Sequence, residues 1–175
     1  MPDLNYLRDP TSEAATTIRP TRPLPGNCKG KTIALLDISK ERSSEFLDRM
    51  ALKLSEAGYP VKRYRKGSHS KTAAPEIIET IVQEADLVIE SLADCGSCTS
   101  CSVHDINRLD QLGIPGLMVA TKEFKQAAAA QALSLGFEPN VIWVEHPIQN
   151  RTESELHEIA DKAFTEIQQR FTTHI

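Results

Sequence analysis

The sequence has no long apolar stretch and no N-terminal segment of the kind that directs a chain to a membrane or out of the cell. No uninterrupted apolar run approaches the roughly 20 residues that a helix needs to cross a bilayer. Residues 1–5 (MPDLN) contain neither a basic region nor an apolar run. We therefore expect a soluble, cytoplasmic protein that does not bind membranes.

The features of nucleic-acid binding and of common nucleotide sites are also missing. The net charge is −4, and the lysines and arginines are scattered, whereas neutralising phosphates requires a concentrated basic face. We interpret the one basic cluster, at residues 63–66 (RYRK), as a solvated strand end. The phosphate loops GxGxxG and GxxxxGK[ST] and the GxSxG elbow of serine hydrolases are absent. The sequence thus predicts no nucleic-acid partner, no bound nucleotide and no serine nucleophile.

Strand and helix patterns alternate along the chain after residue 30. Apolar runs predict strands at 32–38, 61–64, 86–92, 114–120 and 141–144. Helical spacing and end signals predict helices at 43–57, 75–84, 102–112, 122–135 and 152–171. Five such units in series imply an α/β fold: a three-layer, doubly wound, parallel five-stranded sheet with helices on both faces. We predict the flavodoxin-like strand order 2-1-3-4-5.

The first 30 residues differ from the rest of the chain. They contain five prolines and little hydrophobic periodicity, which predicts an extended arm that wraps the domain or a partner. The remaining residues, 31–175, fit one α/β domain of ordinary size. A domain of this size can fold without a disulfide or a structural metal.

Three of the four cysteines, Cys95, Cys98 and Cys101, lie within seven positions. In a reducing compartment, such crowding indicates catalysis or metal binding rather than a disulfide framework. The CxxC spacing allows one sulfur to attack a bond on the other, and the unpaired N–H groups of a following helix stabilise a thiolate. Ser97, between the cysteines, can donate a hydrogen bond to a thiolate or to a substrate.

The predicted strand order places a second polar loop beside the cysteines. In doubly wound sheets, ligands bind beyond the carboxyl ends of the strands, where the strand order reverses. Residues 37–40, after the first strand, and residues 94–101, after the third, meet at that point. Lys40 is the positive charge that we expect near the thiols and the substrate.

Three further residues are candidates for the same edge. His104, one turn after the cysteines and beside Asp105, is a candidate acid or base, although a histidine on a helix face is commonly a surface residue. Thr121 precedes a helix N-terminus and can help to bind an anionic group, or it can serve only as an N-cap. His146, before Pro147 at the end of the fifth strand, is a candidate for binding substrate or delivering a proton.

Metal binding is the main alternative. The C-x2-C-x2-C spacing opens the bacterial iron–sulfur run, although its C-x3-C-P completion is absent. A zinc site would need a fourth ligand, from His104 or from Cys28, which is otherwise a buried small hydrophobe or a plain exposed thiol. In this alternative, Cys95, Cys98 and Cys101 hold an iron–sulfur cluster or zinc for lyase or hydratase chemistry. No cofactor is predicted otherwise.

The cysteine motif resembles that of a known family. Residues 94–100 (DCGSCTS) and 102–105 (SVHD) resemble the motif of the UGSC family, whose selenoprotein members carry selenocysteine-Gly-Ser-Cys at this place. That family is similar to the selenoprotein B subunit of glycine, sarcosine and betaine reductases, which has a selenocysteine-x2-Cys-x2-Cys pattern. Less distinctive similarity extends over residues 30–37, Lys40, residues 113–115, Thr121, Phe124 and residues 146–147.

The resemblance implies roles for the cysteines. Cys95 takes the selenocysteine place and is the nucleophile, and Cys98 is the resolving thiol. Apart from the resemblance, we regard Cys101 as a candidate relay. Two departures stand out: cysteine is less ionised and a poorer leaving group than selenocysteine, and simpler UGSC members lack a cysteine at the place of Cys101.

The predicted function is therefore a thiol-based oxidoreductase, or a subunit of one. A thiolate attacks a small electrophilic substrate, a second thiol resolves the adduct, and a thiol reductant resets the site. The remaining alternative is a non-catalytic subunit whose proline-containing arm docks on a larger enzyme, and homo- or hetero-oligomers fit either function.

Overall fold

A parallel five-stranded sheet forms the centre of the structure, a computed structural model that describes residues 17–172. Its strands are β2 (Ile33–Asp37), β3 (Val61–Arg65), β4 (Leu87–Ala93), β5 (Gly116–Thr121) and β7 (Val141–Val144). They lie in the order β3-β2-β4-β5-β7, and all neighbours are parallel. Numbered along the chain, these five strands have the order 2-1-3-4-5, so the predicted doubly wound fold is confirmed.

Helices cover both faces of this sheet. They are α1 (Ser43–Glu56), α2 (Pro75–Glu84), α3 (Gly96–Gln111), α4 (Lys125–Leu135) and α5 (Glu153–Thr172), with a 3₁₀ turn, Lys122–Phe124, before α4. Successive strand residues point to opposite faces, and the inner strands are mainly apolar on both sides, with Glu90 of β4 as a charged exception. Leu35 packs in the core with α1 and α5, whereas Leu36 packs with α2, α3 and α4. Among the described helices, none is both long and apolar enough to cross a membrane.

The start of α3 is the one place where a predicted boundary is far from the observed one. The helix begins at Gly96, not at residue 102, so Cys98 and Cys101 are helical rather than part of a loop. The pattern was misleading because cysteine, glycine, serine and threonine are typical of turns, whereas here a cysteine side chain caps the helix. At the other end of the chain, Thr152 and Glu155 form a capping box at the start of α5.

The described part of the N-terminal arm, residues 17–30, lies against the domain. Its short strand β1 (Arg19–Pro20) pairs with β6 (Phe137–Glu138). The Arg22 backbone N–H donates to Asp110 Oδ2 of α3 at 2.6 Å. Cys28 is buried in the core on the α1 and α5 side, as expected of a small hydrophobe. Residues 1–16 lie outside the described part, and the predicted domain boundary at residue 30 stays a prediction.

Substituting Gly116 tests how closely β4 and β5 approach. A Cβ at this position would lie 2.2 Å from Val88 Cγ1 and 2.6 Å from the Val88 carbonyl oxygen. We expect Gly116→Ala to lower the free energy of unfolding by about 1–3 kcal/mol, because backbone atoms must shift. Urea unfolding measures this change. Gly67→Ala, where nothing lies within 4 Å, is the matched control, and equal effects of the two substitutions would contradict the explanation.

Candidate functional site

Cys95 and Cys98 cap the N-terminus of α3 by bonding to each other's backbone. The Sγ of Cys95 accepts the Cys98 N–H at 3.2 Å, and the Sγ of Cys98 accepts the Cys95 N–H at 3.0 Å. This is the pattern of a capping box, with sulfur in place of the usual side-chain oxygens. Both sulfurs are therefore held at the positive end of the helix dipole, where a thiolate is stabilised.

The two thiols differ in access to solvent. Cys98 is fully buried, whereas Cys95 is half-buried. The pKa of Cys98 is raised to about 12. Burial is the largest cause, and the hydrogen bond and the charge of Cys95 add to it. The Cys98 S–H donates to the Cys95 carbonyl at 3.2 Å. At neutral pH, Cys98 is thus a protonated thiol, and Cys95 is the sulfur of the pair that a substrate can reach.

Asp94 is the third polar group of the site, and the sequence analysis did not single it out. A carboxylate oxygen of Asp94 and the sulfurs of Cys95 and Cys98 all lie within 4.8 Å of one another. Asp94 is buried, and its Oδ1 has no hydrogen-bond partner among the described residues. Lys40 Nζ lies 3.7 Å from that oxygen. Lys40 therefore reaches the site as the counter-charge of Asp94.

Thr121 and His146 meet at the same edge of the sheet. Thr121 ends β5 and is fully buried, and its Oγ1 is hydrogen-bonded to His146 Nδ1 at 3.2 Å. The register pairs Ala93 of β4 with Ala120 of β5. The end of β5 consequently lies next to Asp94 and the start of the cysteine motif. The loops after β2, β4, β5 and β7 therefore lie together at the carboxyl edge of the sheet, as predicted. The binding roles of Thr121 and His146 stay predictions.

The side chains of the other predicted site residues are not hydrogen-bonded to these groups within the described part of the chain. His104 is exposed and is hydrogen-bonded to Gln131 of α4 at 3.0 Å. Ser97 is exposed in the first turn of α3, and Cys101 is half-buried one turn after Cys98. Cys28 and Cys98 lie in the cores on opposite faces of the sheet, so Cys28 does not serve as a fourth zinc ligand.

A buried charged cluster lies between α3 and the sheet. Lys66, directly after β3, is 2% exposed, and its Nζ lies 3.3 Å from Glu90 Oε1 and 2.5 Å from Asp105 Oδ2. Ser102 Oγ donates to Glu90 Oε1 at 2.9 Å, and the Ala73 N–H donates to Asp105 Oδ1 at 2.8 Å. The interpretation of residues 63–66 as a solvated strand end is therefore wrong for Lys66.

Burial sets the electrostatics of this cluster. The pKa of Glu90 is raised to about 8, mainly because burial removes water from the carboxylate and also because Asp105 is negatively charged. Burial by itself lowers the pKa of Lys66. The interactions with Glu90 and Asp105 outweigh this effect, so the pKa of Lys66 is raised. The signal for this cluster was present in the sequence as Glu90, an acidic residue inside the apolar run of the third strand. Its partners were not visible, because they lie 24 residues before it and 15 after it.

Solved structures share the fold of this chain. A mutant of the flavo di-iron protein from Thermotoga maritima superposes with a TM-score of 0.51 at 15% identity, covering 81% of this chain and 37% of that chain. The flavodoxin-like domain of a Synechococcus sp. protein gives 0.48 at 11%, covering 80% and 92% of the two chains. Oxidised flavodoxin 2 from Bacillus cereus gives 0.45 at 13%, covering 79% and 99%. At these identities the likeness concerns the fold alone.

The family comparison reaches further than the structural one. No curated protein matches the sequence. The family model described as UGSC family matches residues 6–173, nearly the whole chain and all four cysteines. This match confirms the resemblance seen at the cysteine motif, whereas the similarity to a selenoprotein B subunit stays a prediction. The chain belongs to the UGSC family.

Proposed function

We propose that the protein is a thiol-dependent oxidoreductase whose reactive pair is Cys95 and Cys98. The observation that carries the proposal is the mutual capping of the two thiols at the start of α3, with one sulfur accessible and the other buried. In such a pair, solvent access distinguishes the two thiols: the accessible one can attack the substrate, and the buried one can resolve the adduct. Membership of the UGSC family supports the proposal because the motif that defines the resemblance is this pair.

The first step is attack by Cys95. For a small disulfide, the Cys95 thiolate forms a bond to one sulfur and expels the other half of the substrate as a thiolate. The Cys98 N–H and the positive end of α3 stabilise the attacking thiolate. A selenium centre reacts by the same displacement.

The second step is resolution by Cys98. Its thiol loses a proton and attacks the sulfur of Cys95, which releases the second half of the substrate and leaves a Cys95–Cys98 disulfide. Because burial raises the pKa of Cys98, this step needs a base, and the Asp94 carboxylate lies within 4.8 Å of the thiol. Two electrons pass from the thiols to the substrate, and a thiol reductant restores them by exchange.

Polar groups at the carboxyl edge are the candidates for holding the substrate. Lys40 and His146 lie in the loops after two different strands, and the buried Thr121 at the end of a third holds His146 through a hydrogen bond. A cation and a hydrogen-bonding group suit a small polar or anionic molecule. Ser97, exposed in the first turn of α3, completes the set.

The fold raises flavin mononucleotide as a cofactor, since doubly wound proteins of this strand order bind it at the switch point. In the loop after β2, three groups that could bind its phosphate already have partners. The Ser39 N–H already donates to Asp37 Oδ1 at 2.7 Å, and the Ser43 N–H donates to the Lys40 carbonyl at 3.0 Å. The Ser43 hydroxyl is buried and donates to a carbonyl of β4 at 2.7 Å. No step of the proposed reaction therefore uses flavin.

Metal binding is the second candidate, and the grouping of Asp94, Cys95 and Cys98 favours it. One carboxylate and two thiolates supply three ligands of a zinc site and leave one position for water. This set differs from the predicted one by having Asp94 in place of Cys101. We rank it second because the Lys40 ammonium, 3.7 Å from Asp94, opposes a cation at that place.

A thiol count on protein purified without oxygen distinguishes the two candidates. We expect mild oxidation to remove two thiols together and dithiothreitol to restore them, with mass spectrometry placing the disulfide between Cys95 and Cys98. Cys95→Ser and Cys98→Ser abolish this loss, whereas Cys28→Ala keeps it because Cys28 lies in the opposite core. Stoichiometric zinc or iron that is lost in Cys95→Ser would instead identify a metal site and overturn the thiol pair.

Asp94→Asn separates the two steps of the proposed reaction. With an aromatic disulfide as the probe, we expect Cys95 to form the mixed disulfide, while release of the second half slows about 100-fold because Cys98 lacks its base. Stopped-flow absorbance follows the two release steps. Asp86→Asn, which changes a carboxylate at the opposite end of β4, is the matched control. Unchanged second-step kinetics in Asp94→Asn would exclude Asp94 as the base.

A further inference from the structure

The Lys66 cluster has no part in the reaction described above. It contains one cation and two carboxyl groups, and Lys66, Glu90 and Asp105 are each at most 2% exposed. With both carboxyl groups ionised, the cluster would carry an uncompensated negative charge in the interior. Such a charge is strongly unfavourable, and a buried group takes up a proton instead.

The hydrogen bonds indicate which carboxyl group holds that proton. Both oxygens of Asp105 accept bonds, from Lys66 and from the Ala73 N–H. Glu90 Oε1 accepts bonds from Ser102 and Lys66, whereas Glu90 Oε2 is buried with no partner in the described part of the chain. A proton on Oε2 neutralises the carboxyl group at the oxygen that no donor compensates. The raised pKa of Glu90, about 8, agrees with this assignment.

The surroundings of Glu90 contain few other titratable groups. The residues paired with it on the neighbouring strands are apolar: Leu36 on β2 and Met118 on β5. The charged or titratable groups around it come from the segment after β3 and from α3: Lys66, Asp105 and Cys101. The protonation of Glu90 therefore depends on the charges of Lys66 and Asp105, and it is electrostatically coupled to Cys101.

Helix α3 connects this cluster to the reactive thiols. Cys101 lies three residues after Cys98 and four before Asp105, which is about one helical turn from each. Burial raises the pKa of Cys101, Lys66 opposes the rise, and the charges of Asp105, Glu90 and Cys95 add to it. Cys101 thus lies within the electrostatic reach of both Glu90 and Cys95.

We propose that Glu90 is a buried proton store for the cysteine site, which keeps its proton while Cys95 is a thiolate and releases it when the Cys95–Cys98 disulfide forms. This inference rests on the proposed function. Disulfide formation removes the thiolate charge, so the Glu90 carboxylate becomes less unfavourable and its proton passes to solvent. The two electrons reduce the substrate disulfide to two thiolates, and the proton of Cys98 passes through the Asp94 base to one of them. Reduction of the disulfide reverses each transfer.

Infrared spectroscopy of the reduced protein at neutral pH tests whether Glu90 is protonated. We expect the carbonyl stretch of a buried carboxylic acid, which Glu90→Gln removes and oxidation weakens. Asp110→Asn, at another buried carboxylate that is paired with Arg19, is the matched control and should leave the band in place. A wild-type protein without the band would overturn the proposal, whether or not the cysteines react.

The midpoint potential of the cysteine pair tests the coupling. Between about pH 6 and about pH 9, we expect the wild-type potential to show an inflection near pH 8 that is absent in Glu90→Gln. Ser102→Ala, which removes a donor to Glu90, should move the inflection to higher pH and serves if Glu90→Gln does not fold. Identical pH profiles in wild type and variants would overturn the coupling. If no disulfide forms, the proposed function fails, and the infrared band still decides the state of Glu90.

The pH dependence of stability gives a further check that needs no reactive thiol. The native pKa of Glu90, about 8, lies above the ordinary value of 4.5, so between these values the folded protein binds a proton that the unfolded chain lacks. The contribution of Glu90 to stability is therefore fully present below about pH 4.5 and is lost as the pH rises through about 8. We expect urea unfolding to show a smaller decline from about pH 5 to about pH 8 in Glu90→Gln than in wild type. An equal decline in both would contradict a protonated Glu90.

Discussion

The first backbone N–H groups of α3 have no carbonyl partners within the helix, and the sulfurs of Cys95 and Cys98 accept two N–H groups at this end. Much of the site depends on this constraint. It starts the helix six residues earlier than residue 102, keeps both sulfurs at the positive end of the helix dipole, and holds them within 4.8 Å of each other. A serine capping box would stabilise the same helix end, but it would supply neither a nucleophile nor a resolving group.

Two segments of α3 lie in environments that suit different tasks. The N-terminal turn lies at the carboxyl edge of the sheet, where Cys95 is accessible and Lys40 is near Asp94. One and two turns further along, Ser102 and Asp105 point into a buried cluster with Lys66 and Glu90. Buried ion pairs of this kind add little net stability, since desolvation offsets most of the attraction. Their value here lies in the helix position that they specify and in the proton that they hold.

Family membership and fold similarity constrain the function to different degrees. The UGSC match covers nearly the whole chain and includes the cysteine motif. The structural likeness to the flavo di-iron protein extends over about four-fifths of the chain but concerns the arrangement of strands and helices. In the loop after β2, which forms the phosphate end of a flavin site in such folds, the N–H groups of Ser39 and Ser43 are already bonded within this protein. The proposed function therefore rests on the side chains at the start of α3.

The sequence by itself determined the order and type of the sheet strands and of the helices, because these depend on local periodicity. Apolar runs and helix-end glycines placed most boundaries within two residues of the observed ones, and the resulting topology predicted that the loops after β2 and β4 meet. Only the tertiary structure decided which polar groups are buried together. Lys66 stands in a basic run, and Glu90 and Asp105 are distant in sequence, so their pairing depends on the packing of β3, β4 and α3. Asp94 likewise becomes part of the site only because the chain turns at the edge of the sheet and buries its carboxylate against the two thiols.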